Sequence, residues 1–325
     1  MPHGISREAD ALRITPAAVV LLGLVAATVT PVPTTPAALP ATSSAAATSS
    51  DVAASGAAAR GAYLALAAGC GQCHTDTKHG GRPYAGGLAL KTRYGTVITP
   101  NITPDRRTGI GGWGARDFAA AMRWGVAPGD SHYLSAFPFP FYNRLTDRDL
   151  ADLKAFLDTV PAVYQPNRGG GNWRLLAAAR DAIAVVATAF PGPRMPDPQR
   201  SAAWNRGAYL VATVGRCGDC HTPRNWFGAG EPDRFLAGGT TGSGDNAPDI
   251  TPDPRTGIGS WSVGDIETLL KDGQKPDFDF VGGAMGEIVD NTAKLTAADR
   301  RAIAIYLRSL PPIRSGSSRP PKKSD

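Results

Sequence analysis

Cys70-Gly71-Gln72-Cys73-His74 and, 147 residues further on, Cys217-Gly218-Asp219-Cys220-His221 use all four cysteines of a 325-residue chain. A Cys-x-x-Cys pair followed at once by His is the pattern of covalent c-type haem attachment. The two thiols add to the haem vinyl groups as thioethers, and the imidazole becomes the proximal iron ligand. The sequence therefore predicts two covalently bound haem c, held by Cys70, Cys73, Cys217 and Cys220, with His74 and His221 on the irons. Other readings account for less of the pattern. A zinc ribbon sets its pairs about 15–20 residues apart. A thioredoxin-like pair has no use for the adjacent His, and no βαβ pattern surrounds either motif. Structural disulfides would close strained small loops and leave both His residues without a role.

Outward from the motifs the chain repeats itself. Arg60-Gly61-Ala62-Tyr63-Leu64 recurs as Arg206-Gly207-Ala208-Tyr209-Leu210, and Asn101-Ile102-Thr103-Pro104-Asp105 as Asp249-Ile250-Thr251-Pro252-Asp253. Thr108-Gly109-Ile110-Gly111 with Trp113 recurs as Thr256-Gly257-Ile258-Gly259 with Trp261. A repeat this long is a duplicated domain and not a solenoid unit. Each copy shows a helix running into its first Cys (57–68 and 202–214). A second helix opens near Asp117 and near Ser262. A closing helix starts on Thr146 with Asp149, or on Thr296 with Asp299, a capping-box-like signal. Gly/Pro-rich loops between them are long enough to wrap a cofactor. No alternating pattern competes, so the expected fold is all-α: two tandem cytochrome-like domains joined by a helical linker.

The expected organisation is a signal and tether over 1–55, domain one over 56–163, a linker with a helix over 164–200, domain two over 201–313 and a disordered tail over 314–325. Arg7 and Arg13 precede an apolar run over residues 17–29, which reads as a secretory signal. Haem c is attached outside the cytoplasm, so a periplasmic location is expected. The apolar run is short for a membrane span, although an uncleaved one would leave an anchor. Arg174, Arg180 and Asp181 interrupt the apolar linker segment over 173–189, which argues for a packed helix. The net charge of +6, from 34 basic and 28 acidic side chains, is mild. No basic run interleaved with aromatics points to nucleic acid.

With these strings in place, the chain resembles the cytochrome c subunits of periplasmic alcohol, gluconate and other sugar dehydrogenases. Gly-Ala-Tyr-Leu before each motif, Cys-His-Thr after it, Phe235-Leu-Ala-Gly-Gly and Ala304-Ile-Tyr-Leu-Arg-Ser-Leu-Pro-Pro carry the likeness, over residues 56–313. The resemblance implies class-I-like cytochrome folds and electron transfer from a periplasmic or membrane-bound dehydrogenase to a downstream acceptor in the respiratory chain. Many relatives carry three haem domains and a membrane helix; this chain shows two.

The sixth ligands separate the copies. Met285, in Gly282-Gly283-Ala284-Met285-Gly286, stands in the loop where the family places its distal Met, and is the candidate ligand of haem 2; thioether ligation raises the potential. In copy one the family's Pro-Ala-Met-Pro-Tyr is replaced by Ser135-Ala136-Phe137-Pro138-Phe139, and Phe137 cannot ligate iron. His132, in the same loop, is the candidate distal residue of haem 1, as a second imidazole ligand, as a donor over an open iron, or as an exposed loop residue. Met122 reads as core, His79 as surface, and Asp105 and Asp253 as structural. Arg93, Arg216 and Arg224 are candidates to pair with propionates. No acid/base pair or nucleophile emerges. The leading expectation is a dihaem electron carrier. The alternative is a haem enzyme, acting on peroxide or a small sulfur compound, if haem 1 keeps an open position.

Overall fold

The computed structural model describes residues 49–92, 95–129, 131–133, 136–168, 195–226 and 228–315; of 49–55, 131 and 132 it describes the backbone alone. The expected signal, most of the tether, the helix over 173–189 and nearly all of the tail lie outside the described residues.

In each copy the opening helix crosses the closing helix at a glycine. Helix α1 (Ser49–Ala67) leads into the attachment turn α2 (Cys70–Cys73), and helix α3 (Ala115–Trp124) follows. A short turn α4 (Phe139–Tyr142) precedes the closing helix α5 (Asp147–Leu157). A Cβ on Gly61 would sit 1.8 Å from the Asp152 carbonyl oxygen, so α1 and α5 approach as closely as two backbones can. In copy two the same crossing joins α6 (Ala202–Tyr209) to the closing helix α10 (Ala297–Arg308). There a Cβ on Gly207 would lie 1.9 Å from the Ala302 carbonyl oxygen. The glycine of the repeated Gly-Ala-Tyr-Leu string is thus a packing requirement. α1 begins at Ser49, inside the stretch expected to be tether, and the alanines at 53, 54, 57, 58 and 59 favour the helix there.

The caps follow the sequence. Thr146 and Thr296 each accept a hydrogen bond from the backbone N–H three residues on, at 3.1 Å. Ser262 and Asp265 cap each other reciprocally at the start of α8 (Val263–Asp272). The attachment turn of copy two is α7 (Gly218–His221), and α9 (Gly283–Thr292) precedes the closing helix.

One length difference between the copies has a visible consequence. Tyr63 stands seven residues before Cys70, whereas Tyr209 stands eight before Cys217. The extra residue is taken up by a π-helical turn over Leu210–Val214, closed by the Gly215 N–H donating to the Leu210 carbonyl at 2.7 Å. A single inserted residue is the usual origin of such a turn.

The expected helical character is present, with small strands added to it. The described residues are helix-rich and carry three small antiparallel pairs: β1 (Ala89–Thr92) with β2 (Gly95–Ile98), β3 (Val126–Ala127) with β4 (Ser131–His132), and β5 (Ala237–Thr240) with β6 (Asn246–Asp249). Two- to four-residue strands are too short to show an alternating pattern, and a Gly/Pro-rich loop satisfies its backbone groups by pairing with itself.

A single apolar cluster runs through both copies. It joins Leu64, Leu145, Leu153 and Leu157 to Leu210, Val211, Ile303 and Leu307, and the described residues of the two copies fall in one compact unit. The copies are also tied by two matched polar contacts. The Tyr63 hydroxyl donates to Asp299 at 2.7 Å and accepts from the Thr296 N–H at 3.0 Å. The Tyr209 hydroxyl donates to Asp149 and accepts from the Thr146 N–H at 3.2 Å. Chain just beyond each closing helix is pinned in the same manner. Val163 N–H donates to Thr103 Oγ1 at 3.1 Å, and Ile313 N–H to Thr251 Oγ1 at 3.2 Å. Among the described residues no helix is long and apolar enough to cross a membrane.

Candidate functional site

Each Cys-x-x-Cys-His string is wound into one helical turn. The His74 N–H donates to the Cys70 carbonyl at 2.9 Å and the His221 N–H to that of Cys217 at 3.0 Å. One turn places residues three apart on one face, so each pair of thiols is presented side by side, with the imidazole next to them. All four thiols are free. Burial pushes the Cys70 thiol up to about 12 and that of Cys217 up to about 11, the neighbouring Arg216 guanidinium pulling the other way. A redox-active pair needs the opposite shift. Among the described residues no group of three or more His, Cys, Asp or Glu side chains converges as a metal cluster.

The two imidazoles are held alike. His74 Nδ1 lies 2.8 Å from the Pro100 carbonyl oxygen, and His221 Nδ1 lies 2.7 Å from that of Pro248. A carbonyl only accepts, so Nδ1 carries the proton and Nε2 keeps its lone pair for a metal. Burial holds both imidazoles below the ordinary histidine value, and so neutral, against the opposing effect of the carbonyl hydrogen bond. A neutral ring with a fixed tautomer is what iron ligation needs. Sequence reasoning missed both prolines, although each stands directly before a repeated string.

Those strings hold the proline loops in place. Asp105 accepts from the Thr108 N–H at 2.7 Å, and Asp253 from the Thr256 N–H at 2.8 Å. Asn101 donates to the Val163 carbonyl at 2.8 Å, while Asp249 accepts from the Thr256 hydroxyl at 2.7 Å. The two aspartates are structural, as read.

Met285 is half-buried in the first turn of α9, not in a loop as expected; the Gly282-Gly283 pair starts the helix three residues earlier. Met122 is buried in the core, and Met195 is 79% exposed. His79 is a surface residue paired with Asp76 at 2.8 Å. The backbone of His132 pairs with Val126; its side chain lies outside the described part. Phe137 packs among aromatics, with ring centroids 5.7 Å from Tyr133 and 5.8 Å from Tyr142. Asn143, buried next to this cluster in sequence, has no hydrogen-bond partner for its amide among the described residues, and copy two has Ala293 there. Arg93 lies outside the described residues. Arg224 is tied to Asp219 and to the Gly228 carbonyl, the latter at 3.1 Å.

Over 275 residues the chain is 39% identical to a protein of Cereibacter sphaeroides named dihaem cytochrome c-type, covering 80% of this chain and 88% of that one. The chain belongs to the dihaem cytochrome c family. It is also 39% identical to the fructose dehydrogenase cytochrome subunit of Gluconobacter japonicus, over 78% of this chain and 52% of the relative. Identity to the gluconate 2-dehydrogenase cytochrome c subunit of Pantoea cypripedii is 36%, over 77% of this chain and 59% of that subunit. The chain thus spans little more than half the length of those dehydrogenase subunits. No family model matches it. Haem c is the cofactor of a cytochrome c, and the residues present fit it: paired free thiols on one turn and a neutral imidazole with Nε2 available, each arranged twice.

Proposed function

We propose that the protein is a periplasmic dihaem electron carrier, accepting electrons from a dehydrogenase and delivering them to an acceptor of the respiratory chain. The observation that carries the reading is the pair of matched attachment turns, each with its imidazole Nδ1 bound to a proline carbonyl. Bound haem c supplies a one-electron iron couple. Cys70 and Cys73 would hold one haem, and Cys217 and Cys220 the other. His74 and His221 present Nε2, and the Pro100 and Pro248 carbonyls fix their rings. Met285 is the candidate distal ligand in copy two. In copy one Phe137 offers no ligating atom, which leaves His132 as the candidate. A thioether on one side only makes the two potentials unequal. The dehydrogenase partner is supported by the relatives' names, and the periplasm by the attachment chemistry and the N-terminal run.

Phe137 also favours a second reading, an enzyme with an open iron in copy one. The test is twofold. Mass spectrometry of protein matured outside the cytoplasm should show two covalent haems; one or none overturns the proposal. Spectra of the reduced protein with and without carbon monoxide should then show no binding. Binding by half the haem, unchanged in His132→Ala, moves the enzyme reading to first place.

A further inference from the structure

We infer that Arg216 is a positive charge shared between the two attachment sites, which raises the reduction potentials of both haems together. The inference rests on the two-haem reading and adds a residue to it. Arg216 directly precedes Cys217, at the position that Gly69 occupies before Cys70. Both positions take a left-handed backbone, φ 44° for Arg216 and 68° for Gly69. That conformation suits glycine and strains any larger residue. Copy one uses the glycine; copy two keeps an arginine in spite of the strain.

The arginine side chain crosses into copy one. Its Nε donates to the Tyr142 hydroxyl at 3.1 Å, and its Nη2 would lie 3.9 Å from a Cβ on Gly69. The guanidinium thus reaches van der Waals distance of the residue that directly precedes Cys70. The charge stands beside both attachment turns: the guanidinium reaches the residue next to Cys70 and Tyr142 of copy one, while its backbone directly precedes Cys217 of copy two. Nor is it cancelled. Among the described residues its ion-pair partner is Asp219, at 3.5 Å, and Asp219 is bound as well by Arg224. Two guanidiniums on one carboxylate leave a net positive charge beside the attachment turns. Tyr142, which burial pushes up to about 12, stays neutral. The π turn over Leu210–Val214 ends at Gly215, the residue before Arg216. A half-buried charge is poorly screened, and a positive charge near an iron favours the reduced form.

The experiment is potentiometric titration of the haem-loaded protein and three variants, after haem content has been confirmed by mass spectrometry. Arg216→Gly gives copy two the residue copy one uses, relieves the strain and removes the charge. Arg216→Gln removes the charge with most of the side chain kept, and Arg216→Lys keeps the charge. Arg216→Gly and Arg216→Gln should each shift both reduction equilibria about tenfold towards the oxidised form, or 59 mV downward for one electron. Arg216→Lys should stay near the parent values. Unmoved midpoints, a shift of one midpoint alone, or an equal fall in Arg216→Lys would each overturn the shared-charge role. Wild-type protein without two covalent haems would instead overturn the reading on which it stands.

Discussion

Tyr63 donates a 2.7 Å hydrogen bond to Asp299, a residue 236 positions further along the chain. The same carboxylate receives both Arg206 Nε and Nη2 at 2.8 Å. The matching contact runs the other way, from Tyr209 to Asp149. The repeated tyrosine is therefore the residue by which each copy holds the helix N-terminus of the other.

Removing either hydroxyl leaves a partly buried carboxylate short of a donor. Tyr63→Phe and Tyr209→Phe should each cost about 1.5 kcal/mol, the scale of a hydrogen bond to a charged group. Arg60, Tyr63, Asp149 and Arg206 line one cleft, so the double variant should depart from additivity by about 0.5 kcal/mol or more. Denaturant titration of the haem-loaded protein measures both; a neutral Tyr63→Phe would show that the contact adds nothing to stability.

Acid should loosen this junction. Burial alone would raise the Asp299 carboxyl, but hydrogen bonds from Arg206 and Tyr63 outweigh it and hold the group below its ordinary value. A carboxyl lower in the folded than in the unfolded state stabilises fully above the unfolded value, roughly pH 4. That contribution is lost as the pH falls through the folded value. Asp105 and Asp253, held low by their threonine partners, act in the same window. Thermal melts should fall below pH 4, and Asp299→Asn should lower the melt at pH 7 and flatten the acid limb.

The helix crossings should not tolerate a methyl group. Gly61→Ala and Gly207→Ala would each drive a Cβ into a carbonyl oxygen, and each should cost more than about 3 kcal/mol or abolish folding. Gly112→Ala, where the nearest atom to a Cβ is 3.9 Å away, is the control and should change the melt little. Soluble haem-loaded yield and melting temperature are the readouts. Alanine normally stabilises a helix relative to glycine, so the sign alone is informative.

Met285→Leu tests the distal side of copy two. Loss of the thioether should open one iron, so that carbon monoxide binds about half the haem in the reduced protein, and one midpoint should fall. A spectrum indistinguishable from wild type would remove Met285 from the ligand set.

The chemistry-bearing residues were legible because they are contiguous: a five-residue string carries both thiols and the imidazole. Helix starts were legible because Thr146, Ser262 and Thr296 cap locally. The Pro100 and Pro248 carbonyls were not, since a backbone acceptor leaves no trace in side-chain type. Asp149 and Asp299 were read as local capping residues. Their N–H groups do serve the caps, but their carboxylates face tyrosines from the other copy, and no local pattern reports a partner so far away in sequence. The short hairpins escaped because two to four residues cannot display a period.

The Tyr63–Asp299 and Tyr209–Asp149 contacts are the same patch used twice, which is the isologous geometry of a C2 homodimer. Here both halves belong to one polypeptide. The contact is intramolecular, its effective concentration is set by the connection and not by abundance, and dilution does not separate the halves. A true homodimer must change both sites whenever it changes one. A fused pair is free of that constraint, and so Met285 belongs to one copy while Phe137 belongs to the other, and an arginine precedes Cys217 where a glycine precedes Cys70.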